Sequence, residues 1–298
     1  MIQALVLAVG LLTSSAAGAG GPVESPAFLD AKAKLFAGDP EGKAALEALA
    51  REGDPDARIL IGGAMFVGRM GYSPDKAGAC RLFDQAAPSR PYAAHLQAEC
   101  VEQGHDEVAP DPARARILYR AAADRGFAKS KCALGNLMIA GKGGAVDVPG
   151  GMALCREAAD AGDGDAQTDL GDLYLRGQKV PRDMVQARAW YEKAAAAGHK
   201  NACFTLGQIY WNGDGVAKDN ARAARLWRTA YDKGRLDAAA LLGDEAFVRA
   251  AGAKPKFDKA AMDEAIVWYE KALAQDPAAQ ARIGPRLDIL RKIKAAGS

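Results

Sequence analysis

The sequence has few of the residues that usually mark a chemical function. It contains only three histidines and has no Gly-x-Ser-x-Gly segment, phosphate-binding loop or dinucleotide-binding fingerprint. The formal net charge is only +2, so neither nucleic acid nor an anionic membrane is expected as an obligate partner. Aromatic residues make up only 7% of the chain and alanine is abundant. This composition favours closely packed helices over strands.

Long hydrophobic runs are also missing. The apolar run at 4–12 is shorter than the ~20 residues that cross a bilayer, and no other segment is long and apolar enough. This run belongs to an uncharged segment, 1–19, that ends in the small residues Ala17 and Ala19 around a glycine, as signal peptides do at their cleavage site. No lysine or arginine precedes the run, unlike the usual signal peptide. We predict a signal peptide cleaved near Ala19 and a periplasmic or secreted mature protein, with a buried N-terminal helix as the alternative.

The rest of the chain is dominated by a period of 36 residues. Three residue types recur with this step: Asp75, Asp111, Asp147, Asp183 and Asp219; Gly126, Gly162, Gly198 and Gly234; and Leu134, Leu170, Leu206 and Leu242. A register shared by three residue types indicates a repeated structural unit. Stacking such units builds a continuous core from pieces too small to fold alone.

Each unit is predicted to be a pair of helices. In 202–234, Ala202, Leu206 and Tyr210 fall on one face of the first helix. A glycine such as Gly213 ends this helix, and the periodic aspartate then caps the second helix. The second helix carries Ala-x-x-Trp-Tyr-x-x-Ala-Ala, clearest at 187–195. Its alanines admit the neighbouring helix while its aromatic residues fill the remaining space.

These motifs resemble the Sel1-like repeat family, a relative of the tetratricopeptide repeat. The pattern A-x-x-x-L-G-x-x-Y-x-x-G-x-G-V-x-x-D-x-x-x-A-x-x-W/L-Y/W-x-x-A-A is nearly complete in 202–234, strong in 166–198 and recognisable in 130–162. The resemblance implies an all-α fold, a right-handed solenoid of stacked antiparallel helix pairs. It also implies an adaptor or regulator of envelope and signalling complexes.

The pattern loosens toward the N-terminus. Around 55–90 and 92–126 it is incomplete, and Leu96 or Gln97 is predicted to replace the key leucine of the second of these units. The predicted domain organisation is a signal peptide over 1–19, a short linker over 20–26, a degenerate helix pair over 27–53, about six repeats over 55–277 and a capping helix over 278–298.

The five cysteines form two pairs that suit helical hairpins, because antiparallel neighbours place residues equidistant from their turn side by side. The predicted disulfides are Cys80–Cys100 and Cys132–Cys155. The first pair centres on the turn between two repeats, and the second on the loop within one repeat. By helical geometry Cys132 lies about 160° from the core face, which makes the second pair the weaker prediction. Cys203 is left as a free thiol; five buried thiols in a reducing compartment are the alternative.

The sequence gives little support for a catalytic or a metal-binding site. Ser73–Lys76 has the Ser-x-x-Lys spacing of penicillin-recognising serine enzymes, but Asp75 within it is the periodic helix cap, and no Ser-Asp-Asn or Lys-Thr-Gly occurs. His95 and His105 are ten residues apart, which spreads them around a helix, and His199 stands alone. We predict no catalytic residue, no metal site and no cofactor.

An apolar stripe is predicted to form a binding groove. It follows each key leucine by five positions, about 140° from the core face, and the away-facing sides of first helices line the groove of stacked helix pairs. With a neighbouring phenylalanine, the predicted groove residues are Phe66, Ile139, Leu175, Phe204, Trp211 and Phe247. Aromatic residues there would anchor a protein or peptide; packing between adjacent first helices is the alternative.

The residues and the family resemblance together predict a non-catalytic, monomeric adaptor of the periplasm or cell envelope that binds a protein or peptide. Two alternatives remain. One is a hydrolase acting on cell-wall or β-lactam substrates, and the other is a cytosolic Sel1-like adaptor, if the N-terminus is not a signal.

Overall fold

The computed structural model describes residues 23–106, 108–252 and 258–296. The predicted signal peptide and its cleavage site lie outside these ranges. Within them the chain forms fifteen α-helices, one 3-10 helix at Pro277–Ala279, and no strand. In chain order the α-helices are α1 (Pro26–Phe36), α2 (Pro40–Glu52), α3 (Pro55–Val67), α4 (Lys76–Ala86), α5 (Pro91–Gln103), α6 (Pro112–Asp124), α7 (Ala128–Ala140), α8 (Val148–Asp160), α9 (Gly164–Arg176), α10 (Met184–Ala196), α11 (Lys200–Asn212), α12 (Asn220–Asp232), α13 (Ala238–Gly252), α14 (Lys259–Gln275) and α15 (Gln280–Ala296).

The described chain divides into two compact units. The N-terminal unit holds α1 to α8 and the beginning of α9, and the C-terminal unit holds the end of α9 and α10 to α15. In each unit, consecutive helices pack against one another as hairpins. The fold class is therefore the predicted all-α stacking of helix pairs. None of the described helices combines the length and the apolar character that crossing a membrane requires.

The periodic aspartates cap the second helix of each pair. Their carboxylates accept backbone N–H groups of the first helical turn at 2.7–3.0 Å. The bonds run to Asp75 from Gly78, to Asp111 from Arg114, to Asp147 from Gly150, to Asp183 from Val185 and Gln186, and to Asp219 from Arg222. First helices end at Gly141, Gly177 and Gly213, with φ of 72°, 63° and 79°, where a side chain would be strained. These helix boundaries are thus encoded locally.

Asp219→Ala is expected to lower the free energy of unfolding by about 1 kcal/mol, because the first turn of α12 loses its side-chain acceptor. Urea denaturation followed by circular dichroism measures the loss. Asp214→Ala, in the preceding loop, is the control, since the Asp214 carboxylate accepts from the Asn212 side-chain amide at 3.1 Å and not from a helix N–H. Equal losses in the two variants would contradict the capping role.

The key leucine and one bulky residue of the second helix form the core of the hairpins. Leu134, Leu170, Leu206 and Leu242 are between 0% and 2% exposed. Glycine follows this leucine, or follows Ile61 in the first repeat, and in four repeats an aromatic ring of the second helix covers the glycine backbone. The ring stands so close that any side chain at the glycine would collide with it. The pairs are Gly62 with Phe83, Gly171 with Tyr191, Gly207 with Trp227 and Gly243 with Tyr269.

The repeat containing α5 departs from this pattern. The prediction that Leu96 or Gln97 replaces its key leucine was wrong, because both side chains are only half-buried. Ala98, 36 residues before Leu134, is the residue buried at this place, with 0% exposure. It packs in one cluster with Tyr119 of α6 and with Leu134. A small alanine thus takes the buried position that leucine holds in the later repeats.

Candidate functional site

Four of the six predicted groove residues lie in the C-terminal unit. They come from α9, α11 and α13, which are successive first helices of their pairs. All four are half-buried and pack against the hydrophobic core of this unit. We call them the apolar strip: Leu175, Phe204, Trp211 and Phe247.

Two aromatic residues of the apolar strip, Trp211 and Phe204, contact a buried and a charged neighbour respectively. The Trp211 ring is tilted against Trp227, with centroids 5.6 Å apart. The guanidinium group of Arg235 lies over the Phe204 ring, 4.4 Å from its centroid, and is held there by Asp237 at 2.8 Å. A partner that reaches Phe204 must therefore contact or displace Arg235.

The other two predicted groove residues lie in the N-terminal unit and differ in how far they are buried. Phe66 is half-buried, with the Lys76 ammonium 5.6 Å from its ring centroid. Ile139 is only 2% exposed, because Gly151 on α8 has no side chain and leaves room for it. In this conformation Ile139 offers no surface to a partner, so the apolar strip does not include it.

Both predicted cysteine pairs are joined in the structure. Cys80 of α4 is linked to Cys100 of α5, and Cys132 of α7 to Cys155 of α8, with Cα atoms 5.9 Å and 4.0 Å apart. Cys203 is free and buried, and burial raises the pKa of its thiol. The disulfide pattern is therefore the predicted one, and it favours an oxidising compartment.

The expectation from helical geometry that Cys132 would lie away from the core was wrong. Its side chain is 2% exposed, because α7 packs against both α6 and α8 and so buries residues on more than one face. Cys155 occupies the place that aromatic residues such as Tyr191 take 36 residues later. The disulfide thus fills the space that an aromatic ring fills in other repeats.

The structure reveals a polar pocket that sequence analysis missed. It lies in the N-terminal unit, has a volume of about 180 Å³, and is lined by residues of α5, α6, α7 and α9. Its charged lining groups are Glu99, Glu102, Lys129, Asp165 and Asp169. One sequence signal pointed to it: Glu99 stands 36 residues before Gly135, where the repeat normally has glycine.

Hydrogen bonds and an ion pair organise the polar pocket. Lys129 lies 3.1 Å from Asp165, and the Tyr119 hydroxyl donates to Glu102 at 2.8 Å. The Asn136 amide donates to Asp169, also at 2.8 Å. Burial raises the pKa of Tyr119, and the charge of Glu102 raises it further, so this hydroxyl remains a donor at neutral pH.

No group of three or more histidine, cysteine, aspartate or glutamate residues in the described chain is placed to hold a metal ion. The Ser-x-x-Lys segment has its aspartate, Asp75, engaged with the Gly78 N–H at 2.7 Å. The apolar strip and the polar pocket are two candidate binding surfaces of the described chain.

Solved structures with a similar fold include two bacterial repeat proteins. A Sel1 repeat protein from Oxalobacter formigenes is 24% identical, with a TM-score of 0.61 over 84% of this chain and 100% of that one. The protein c5321, a protective antigen of uropathogenic Escherichia coli with an SLR fold, is 26% identical with a TM-score of 0.51. The match covers 91% of this chain but only 61% of c5321.

A third similar structure is the immunity protein Pa5087 from Pseudomonas aeruginosa. It is 18% identical, with a TM-score of 0.50 over 74% of this chain and 81% of that one. At this identity the likeness concerns the fold alone. A comparison with curated protein sequences finds no match.

The family model of the Sel1 repeat matches four stretches of the chain, 91–127, 164–199, 200–234 and 236–277. Together they cover half of the sequence and include the loosely patterned repeat of α5 and α6. Sel1 repeat proteins are generally protein-interaction scaffolds and typically non-catalytic. With this match and the shared helical-pair fold, the chain belongs to the Sel1 repeat family.

Proposed function

We propose that this protein is a non-catalytic scaffold of the periplasm or cell envelope that binds a protein or peptide partner through the apolar strip. One observation carries the proposal. The side chains of the strip come from three successive first helices and are half-buried rather than buried, so each presents apolar area to solvent. Stacked helix pairs use this side for extended binding surfaces, and aromatic anchors supply most of the energy of such interfaces.

The proposed location rests on the two disulfides and on the predicted signal peptide. Disulfides persist in oxidising compartments such as the bacterial periplasm and are rare in the cytosol. The linked pairs Cys80–Cys100 and Cys132–Cys155 therefore support an exported scaffold over a cytosolic adaptor.

The Phe204→Ala/Trp211→Ala variant is expected to lose its partner. Truncating two anchors of an interface weakens binding by about tenfold or more. The test compares proteins retained from an envelope extract by residues 20–298 with those retained by this variant. The affinity of any differential partner is then measured with purified proteins.

The matched control is Val185→Ala/Val267→Ala, which trims two exposed apolar side chains, 66% and 49% accessible, on the second helices α10 and α14. It should retain the partner. Equal retention by all three proteins would place the binding site elsewhere. A partner loss accompanied by a large drop in melting temperature would favour the alternative that the strip only packs first helices together.

A further inference from the structure

The charges of the chain are unevenly divided between its two compact units. Residues 181–298, nearly all of the C-terminal unit, contain 20 lysine and arginine residues against 14 aspartate and glutamate residues, whereas residues 1–180 contain 19 against 23. The formal net charge is thus +6 over 181–298 and −4 over 1–180. The unit that carries the apolar strip is therefore surrounded by a basic field, which attracts acidic partners.

The carboxylates on the helices that bear the apolar strip are already neutralised or buried. Within the C-terminal unit, α9, α11 and α13 carry only three acidic residues. Asp172 lies 2.9 Å from Arg176, and Asp244 lies 2.7 Å from Arg286 of α15. The third, Glu245, is only 7% exposed. These helices therefore present little uncompensated negative charge to a partner.

Two exposed cations stand beside the apolar strip at the ends of its helices. The Arg182 Nε donates to the Leu175 carbonyl oxygen at 3.2 Å. Lys218, one repeat period later, lies against Gly213, two residues after Trp211. Arg182 and Lys218 form no ion pair with any residue that the structure describes. Their charge is therefore available to a partner that covers the strip.

Two further cations stand beside Phe204, at the other end of α11. Arg235 covers the Phe204 ring, and its ion-pair partner Asp237 is 56% exposed. Exposed pairs contribute little free energy, so a carboxylate from a partner can take the place of Asp237. Lys200 is exposed one helical turn before Phe204 and has no ion pair within the described chain.

We propose that the occupant of the apolar strip is an acidic segment of another protein, in which aspartate or glutamate residues alternate with apolar ones. This inference rests on the proposed function and adds the chemistry of the partner to it. The apolar residues of the segment cover Trp211 and its neighbours in the strip. The carboxylates pair with Arg182, Lys218 and Arg235, and arginine holds a carboxylate through two parallel hydrogen bonds. Basic segments are excluded by like-charge repulsion.

Three other occupants fit these observations less well. The chain's own segment 1–19 is uncharged and offers no carboxylate to the cations. A membrane interface takes up apolar groups that enter it by about 5–10 Å, whereas the side chains of the apolar strip are half-buried. A second copy of this chain is acidic over 1–180, but several of those carboxylates, such as Asp75 and Asp111, already cap helices.

Selection from a random peptide library displayed on phage tests the proposal. The bait is residues 20–298, and phage that bind the Phe204→Ala/Trp211→Ala variant are removed first. We expect the enriched peptides to combine apolar residues with a net negative charge. Neutral or basic enriched peptides would overturn the acidic partner and leave the proposed function standing. If no peptide distinguishes the bait from the variant, both the acidic partner and the binding role of the strip fail.

Charge reversal beside the strip gives a second test, by calorimetric titration with the most enriched peptide. Arg182→Glu/Lys218→Glu should weaken binding by about tenfold, and the affinity of the unaltered protein should fall as sodium chloride is raised. The control is Lys193→Glu/Arg225→Glu, which makes the same change in net charge at exposed positions of the second helices α10 and α12. It should weaken binding by less than about twofold, because distant charges are screened. Equal losses in the two variants would overturn the pairing of the segment with Arg182 and Lys218.

The other occupants are tested with the same proteins. Analytical ultracentrifugation measures self-association, and flotation with vesicles of phosphatidylglycerol and phosphatidylcholine measures membrane binding. We expect neither to depend on the apolar strip. Self-association that is lost in Phe204→Ala/Trp211→Ala would identify a second copy of this chain as the occupant, and vesicle binding that is lost in this variant would identify a membrane. Either result would overturn the acidic segment.

Discussion

Replacing Trp227 with alanine is expected to lower the free energy of unfolding by about 4 kcal/mol. The side chain is 0% exposed, and its Nε1 donates to the Phe204 carbonyl oxygen at 3.1 Å. Its ring also covers Gly207 and packs against Trp211. Because Gly207 has no side chain that could move into the vacated space, the truncation leaves a cavity.

Urea denaturation followed by circular dichroism measures this loss. Fluorescence is unsuitable because the substitution removes one of the four tryptophans. Trp227→Phe is the control, since it keeps an aromatic ring over Gly207, and it should cost about half as much. Losses below about 1 kcal/mol in the alanine variant would show that Trp227 does not support the core of this hairpin.

Removing either disulfide is expected to lower the free energy of unfolding by an amount similar to that of Trp227→Ala. The links join residues 20 and 23 positions apart, and closing loops of this size restricts the unfolded chain by about 3 kcal/mol each. Cys80→Ala/Cys100→Ala and Cys132→Ala/Cys155→Ala should therefore each lose about 3 kcal/mol relative to the oxidised protein. Cys203→Ala, which keeps both links, is the control.

Alkylation followed by mass spectrometry checks the oxidation state behind this prediction. In the unfolded protein without reductant, one thiol should react, that of Cys203; after reduction, all five cysteines should react. In the folded protein Cys203 should react slowly, because it is buried and burial raises the pKa of its thiol. Five reactive thiols without reductant would contradict both the disulfides and the proposed compartment.

The helix pairs were predictable because their signals are local. An aspartate such as Asp219 binds N–H groups within its own first turn, and a glycine such as Gly213 ends its own helix with φ of 79°. Neither depends on distant parts of the chain. The 36-residue register then aligned these signals, so the repeats could be recognised even in stretches where the full motif is degenerate.

The candidate sites were less predictable, because burial depends on both neighbours of a helix. Ile139 shares its register with Trp211, yet only Ile139 is fully buried, since it faces Gly151 on α8. Ala98 was overlooked although it lies 36 residues before Leu134, because the search for a large residue led to Leu96 and Gln97. For Ile139, the size of a residue on another helix decided the outcome.

The amino-acid sequence by itself determined the repeat period and the helix boundaries, because both follow from local spacing along the chain. It predicted the cysteine pairs but left five free thiols as an alternative. Only the tertiary structure decided which apolar side chains remain partly exposed and that Glu99, Lys129 and Asp165 surround one pocket. These residues lie on three different first helices, and their combined charge and enclosed volume exist only once those helices have packed together.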